Sequence, residues 1–161
     1  MIQRSITFGR TRTIVLRLKL KISTFLLGII IKMAAKGKIT PNGVLLEVHE
    51  NATVVYMTEQ GFDVELIPPV QVRGVRSPDI IMDGVAWEMK SPIGVGKYTI
   101  EHAFRSALKQ SSYIIFDIRR LKTPEDKSIH EITRRFNDFK KVKRVLIISK
   151  AAGLIDLGTR T

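Results

Sequence analysis

The chain reads as short apolar runs separated by turn residues, and the period of each run assigns its element. From Val44 to about Gln60, the residues Leu45, Val48, Ala52 and Val55 recur at spacings of three and four, which predicts a helix stopped by Gly61. Phe62, Val64 and Leu66 alternate with Asp63 and Glu65, so Phe62–Ile67 reads as a strand ended by Pro68-Pro69. Two further apolar runs, Ile80–Met82 and Val85–Met89, flank Asp83-Gly84, the dipeptide that most readily supplies the positive φ angles of a type I′ turn; a tight hairpin follows. Thr99 can cap a helix to about Ser111, with Ile100, Ala103, Phe104, Ala107 and Leu108 as its stripe. Tyr113–Phe116 is a continuous apolar run followed by Asp117, the pattern of a buried strand. Thr123-Pro124-Glu125-Asp126 reads as a helix start with Pro at N1, and Ile129, Ile132, Phe136 and Phe139 supply that helix's core face. Arg144–Ser149 is a second buried strand, and Leu154–Leu157 a candidate edge. Helix, strand, hairpin, helix, strand, helix, strand is the order of an α/β layer architecture with a mixed sheet.

The hairpin carries the chemistry. Its turn sets Met82 against Val85, Ile81 against Ala86, Ile80 against Trp87 and Asp79 against Glu88. The period of two puts Ile80, Met82, Val85, Trp87 and Met89 on one face, with Trp87 expected in the core, and Asp79, Ile81, Ala86, Glu88 and Lys90 on the other. Carboxylates directly opposite, with Cβ atoms roughly 5 Å apart, repel unless a cation or a shared proton lies between them. A divalent metal is the natural occupant, and Lys90 reaches toward the same point, a constellation suited to metal-assisted phosphodiester hydrolysis. The competing reading is a solvent-facing hairpin whose acids and Lys90 form an ordinary surface ion pair.

Pro78-Asp79, followed nine residues after the Asp by Glu88-Met89-Lys90, resembles the PD-(D/E)XK nuclease signature. The longer run Trp87-Glu88-Met89-Lys90-Ser91-Pro92, with Lys109-Gln110 and Asp117-Ile118-Arg119-Arg120 downstream, resembles the C-terminal tRNA nuclease domain of CdiA-type contact-dependent growth inhibition toxins, over roughly residues 40 to 157. The resemblance implies a restriction-endonuclease-like αβββαβ core, a mixed central sheet flanked by helices, and a metal-dependent endoribonuclease toxin that cleaves tRNA. It implies Asp79 and Glu88 as ligands of Mg²⁺, with Mn²⁺ or Zn²⁺ as alternatives. Lys90 would orient or deprotonate the attacking water or neutralise the phosphate. The family pattern also places a catalytic, metal-binding acid on the first helix, where Glu50 fits best and Glu47 is the alternative. Lys109 and Gln110 take the place of a supporting basic or amide residue; a solvated helix end is the other reading of both. A cognate immunity protein, delivery or secretion as part of a toxin, and a cytoplasmic site of action follow from the same resemblance.

Composition changes this picture in two places. Nine of the 27 basic residues and none of the 15 acids fall in residues 1–40, so the net charge of +12 shrinks to +3 for residues 41–161 and is poor support for nucleic-acid binding by itself. The cations of the C-terminal half, among them Arg119, Arg120, Arg134 and Arg135, are either a solvated face or, with Lys109 and Gln110, the phosphate contacts a nuclease needs. The absence of cysteine excludes disulfides, Cys-based zinc sites and a thiol nucleophile, and His49, His102 and His130 are too scattered for a His-ligand motif. With 161 residues and 44% hydrophobic content the chain fits one domain, residues 41–161, behind a basic and apolar leader, residues 1–40. In the leader a basic stretch, Arg10–Lys21, precedes the apolar run Phe25–Ile31, which is far short of the roughly 20 residues of a membrane span. A membrane-associating or export leader, a remnant of a junction to a delivery module, and a translation start upstream of Met33 all fit it, the last two together being favoured. Two alternative functions stand beside the tRNA nuclease: a DNA endonuclease of the same fold, and an inactive nucleic-acid-binding module, against which the intact Asp79, Glu88 and Lys90 set argues.

Overall fold

Strands pair in the order in which they occur along the chain. A computed structural model describes residues 35–160 except 71, 73 and 75, and Gly37–Thr161 form one compact unit. Its elements are β1 (Ile39–Thr40), α1 (Val48–Glu59), β2 (Val64–Leu66), β3 (Ile80–Met82), β4 (Val85–Lys90), α2 (Thr99–Ala107), β5 (Tyr113–Asp117), α3 (Glu125–Asp138), β6 (Arg144–Ile148) and β7 (Leu154–Thr159). The strands form one mixed sheet in the order β1 to β7. Among the described residues no helix is long and apolar enough to cross a membrane.

Alternation along the central strands builds two cores. Ile114 and Phe116 of β5 and Val145 and Ile147 of β6 meet Ile100, Phe104 and Ala107 of α2 and Ile132 and Phe136 of α3. Ile115, Leu146 and Ile148, one residue out of step, pack with Ile80, Met82, Trp87 and Met89 beneath Val54 and Met57 of α1. Thus α1 covers one face and α2 with α3 the other, which is why β5 and β6 read as uninterrupted apolar runs. Phe104 and Phe116, with ring centroids 4.6 Å apart, fix α2 on its face.

The hairpin has the register its turn dictates. Asp83 and Gly84 adopt φ values of 53° and 72°, and Ile80, Ile81 and Met82 pair with Trp87, Ala86 and Val85. Trp87 is buried on the α1 side, its indole N–H donating to the Met82 carbonyl at 3.1 Å.

Other expectations need correction. The first helix begins at Val48, because Glu47 is extended and the Glu50 carboxylate accepts the Glu47 backbone N–H at 2.9 Å, closing the helix start. The expected stripe is therefore out of phase: Leu45 is 98% exposed and Val48 89%, while the buried face is Thr53, Val54, Met57 and Thr58. Two of those four are threonines, which an apolar pattern passes over. Tyr98 rather than Thr99 is the N-cap of α2, and Pro124 occupies the N-cap position of α3 instead of N1. Strand β1 was not expected. It pairs parallel to β2, Ile39 opposite Val64 and Thr40 opposite Glu65, so the folded part starts within the stretch read as leader. The chain enters at Gly37, whose N–H donates to the Thr58 carbonyl at 2.8 Å; a Cβ there would stand 1.9 Å from the Phe62 carbonyl oxygen. The leader reading of residues 1–34 lies outside the described residues.

Candidate active site

The topology selects one end of the sheet. β1, β2, β4, β5 and β6 run in one direction, β3 and β7 in the other. The β1–α1–β2 crossover lies on one face and the β4–α2–β5 and β5–α3–β6 crossovers on the opposite one. A crevice therefore opens at the carboxyl ends of β2 and β4, where the chain parts to the two faces; open α/β sheets bind ligands at such places. Asp79 immediately before β3, Glu88 and Lys90 at the end of β4, and Glu50 in the first turn of α1 all belong to that end.

Backbone bonds fix Asp79. Its N–H donates to the Trp87 carbonyl at 3.0 Å and its carbonyl accepts the Ile67 N–H at 2.9 Å. Its Oδ2 accepts the Met89 N–H at 2.7 Å, so the side chain continues the ladder where the strand ends. Glu88 is only 1% exposed. Its Oε1 accepts hydrogen bonds from the Lys90 ammonium and the Gln110 amide, while its buried Oε2 has no partner. The surface ion pair is thereby excluded: this carboxylate is held inside the protein with one oxygen unsatisfied, which is costly unless something binds it.

The electrostatics follow. Burial pushes the Asp79 carboxyl up, against the opposing effects of the Met89 N–H and the Lys90 charge, and the Glu50 charge adds to the rise. Burial likewise pushes Glu88 from the ordinary 4.5 to about 7, with Lys90 holding it down and Asp79 driving it up. The two carboxyl groups lie within hydrogen-bonding reach of each other. A shared proton, or a cation in its place, would relieve the repulsion between them.

Glu50 stands at the wall of the same cleft, with its carboxylate on the Glu47 N–H. Among the described residues no group of three or more His, Asp or Glu side chains is gathered to hold a metal, so Glu50 is not brought in as a third ligand. Asp79 and Glu88 offer hard oxygen donors, one of them orphaned, and this fits a small divalent cation that completes its shell with water and phosphate oxygens.

The expected nucleic-acid contacts divide. Gln110 faces Glu88 rather than the surface. Ser111, not singled out in the sequence, holds it there: its hydroxyl donates to the Ala86 carbonyl at 2.6 Å and accepts the Tyr113 N–H at 2.9 Å. The only local signal was a polar residue between helix and strand. Arg119 binds Asp117 through Nε at 2.9 Å and Nη2 at 2.6 Å and reaches the Ala52 carbonyl, while Thr53 donates to the same Asp117 at 2.9 Å. This network ties α1 to the end of β5. Arg135 bridges Glu101 at 2.6 Å and Glu131 at 2.8 Å, and Arg134 pairs with Glu131 at 2.7 Å. Lys109 and Arg120 remain exposed.

Comparison with known proteins agrees with this architecture. No curated protein matches the sequence. A solved structure described as a CdiA-CT/CdiI toxin and immunity complex from Burkholderia pseudomallei is similar to this chain with a TM-score of 0.56 at 15% identity, covering 76% of this chain and 99% of that one. The family described as the contact-dependent growth inhibition CdiA C-terminal domain matches residues 76–154, from the loop before β3 to the start of β7. The chain thus has the fold of a CdiA-CT toxin, and its segment 76–154, which holds Asp79, Glu88, Lys90 and Gln110, is similar to the CdiA C-terminal domain.

Proposed function

We propose that the folded unit is the toxin domain of a contact-dependent growth inhibition system and acts as a metal-dependent endoribonuclease of the PD-(D/E)XK type on tRNA in a target cell. The observation that carries this reading is the buried Glu88 beside the half-buried Asp79, with Lys90 and Gln110 on one Glu88 oxygen and no hydrogen-bond donor on the other. A bound Mg²⁺, held by Asp79 and Glu88, would polarise the scissile phosphate and acidify bound water. Gln110 and Lys90 fix the orientation of Glu88. The Lys90 ammonium lies beside the pair, where it can hold the attacking water and offset the negative charge that grows on the phosphate. The charge of Glu50 strengthens the negative field at Asp79, and a divalent cation gains more from that field than a proton does. The similar solved complex contains an immunity protein, and a cognate immunity partner for this chain belongs to the same reading.

The test is purified protein with total tRNA and, separately, plasmid, each with Mg²⁺, Mn²⁺, Zn²⁺ or EDTA. Cleavage of tRNA that needs a divalent ion and disappears in Glu88→Gln is expected. Cutting of plasmid alone would make the protein a DNase, and cutting that persists in EDTA would remove the metal from the mechanism.

A further inference from the structure

The cleft beside Asp79 has features that hydrolysis itself does not need. It measures about 340 Å³, and the aliphatic side chains of Val44, Leu46, Ile67, Pro69 and Val70 line it together with Arg76 and the polar residues Glu50, Ser77, Asp79 and Gln110. Arg76 is exposed and makes no hydrogen bond, ion pair or ring contact among the described residues. Arg105, Arg119, Arg134, Arg135 and Arg144 differ from it, each being bonded to a carboxylate. Arg76, unpaired among the described residues, thus shares with several aliphatic side chains, Asp79 and Glu50 one recess the size of a small ligand pocket.

A duplex has no use for such a recess, because its base faces are stacked and paired. An unpaired nucleotide fits it: the base face lies on apolar side chains while its phosphate meets the arginine. We propose that the cleft is a subsite for one unpaired nucleotide next to the scissile phosphate, with Arg76 positioning that nucleotide's phosphate. The bonds cut would then lie in loops, bulges or single-stranded ends. Among the described residues no aromatic side chain lines the cleft, so the base is held without stacking on a ring and the choice among bases is weak. This rests on the nuclease reading above.

The experiment compares a stem-loop RNA with a fully paired duplex of the same sequence, in Mg²⁺ and over a range of salt, for the wild type, Arg76→Gln and Glu88→Gln. Wild type is expected to cut the loop and spare the duplex. Arg76→Gln should raise KM about tenfold, with the loss in KM rather than kcat, and lower the salt slope of log KM by about 0.7, while a thermal melt shows an unchanged fold. Equal cutting of loop and duplex overturns the subsite, as does an Arg76→Gln effect that is absent or confined to kcat. If Glu88→Gln still abolishes cleavage in that case, the nuclease reading stands without it. A wild type that cuts no RNA or DNA removes the nuclease reading, and the subsite with it.

Discussion

Replacing Glu88 by glutamine should make the metal-free protein more stable at the pH where it would abolish the proposed activity. The carboxyl is buried, and its pKa is driven from the ordinary 4.5 to about 7, so the folded protein binds a proton there more tightly than the unfolded chain does. Stability is then full below about pH 4.5 and declines as pH rises through 7, where the group must ionise inside the protein beside Asp79. The displacement corresponds to about 3 kcal/mol at pH 8. Glutamine has the same shape, keeps a carbonyl for Lys90 and Gln110, and can donate its N–H to Asp79 as the protonated acid does. Its melting temperature in EDTA at pH 8 should exceed that of wild type by an amount on the order of 10 °C, and the difference should vanish toward pH 4.5. Added Mg²⁺ should raise the wild type selectively, because only an ionised Glu88 completes the site. A wild type whose melting temperature is flat between pH 5 and 8, or a variant that melts no higher than wild type at pH 8, would refute the buried, repelling pair.

Three further substitutions test how the cations are used. Burial alone would raise the Asp117 carboxyl, but the bonds from Arg119 and Thr53 outweigh it and hold its pKa below the ordinary 3.8; its contribution is present above that pH and lost on acidification. Asp117→Asn should therefore lose about 3 kcal/mol in urea melts at pH 7, and a loss too small to measure would show that the network does not fasten α1 to the sheet. Arg135→Ala removes the ion pair that joins α3 to Glu101 of α2, and one with Glu131 within α3, and should lower thermal stability while leaving nucleic-acid affinity as it was. Arg120→Ala, at an exposed position beyond β5, should do the reverse. Fluorescence anisotropy with labelled RNA on a Glu88→Gln background separates the two.

What was legible in the sequence was whatever a local rule controls. Asp83-Gly84 demands one turn, the turn demands one register, and the register brings Asp79 to Glu88. The buried strands announced themselves by composition. The phase of α1 did not, because Thr53 and Thr58 occupy half of its buried face, and Thr53 is there for its bond to Asp117, 64 residues away. Strand β1 is two residues long and exists through its pairing with Val64 and Glu65, which no local pattern encodes. The roles of the arginines were hidden for a similar reason. The pair of Arg135 with Glu131 follows from helical spacing, but its bond to Glu101 depends on how α2 meets α3. Gln110 was expected either as a supporting amide or as a surface contact; it supports Glu88, because the chain after α2 turns back under that residue, which nothing in its neighbourhood tells.

The strictly sequential strand order has a consequence for assembly. Among the described residues each strand pairs with its neighbours in sequence, β1 and β7 forming the edges, with no strand inserted between earlier neighbours. Closing each pair needs only the loop or the single helix that separates its members, so the entropic barrier to forming the sheet is divided into smaller steps. A chain arranged this way can be drawn out from either end and rebuilt from either end, adding one strand at a time to an edge that is already formed.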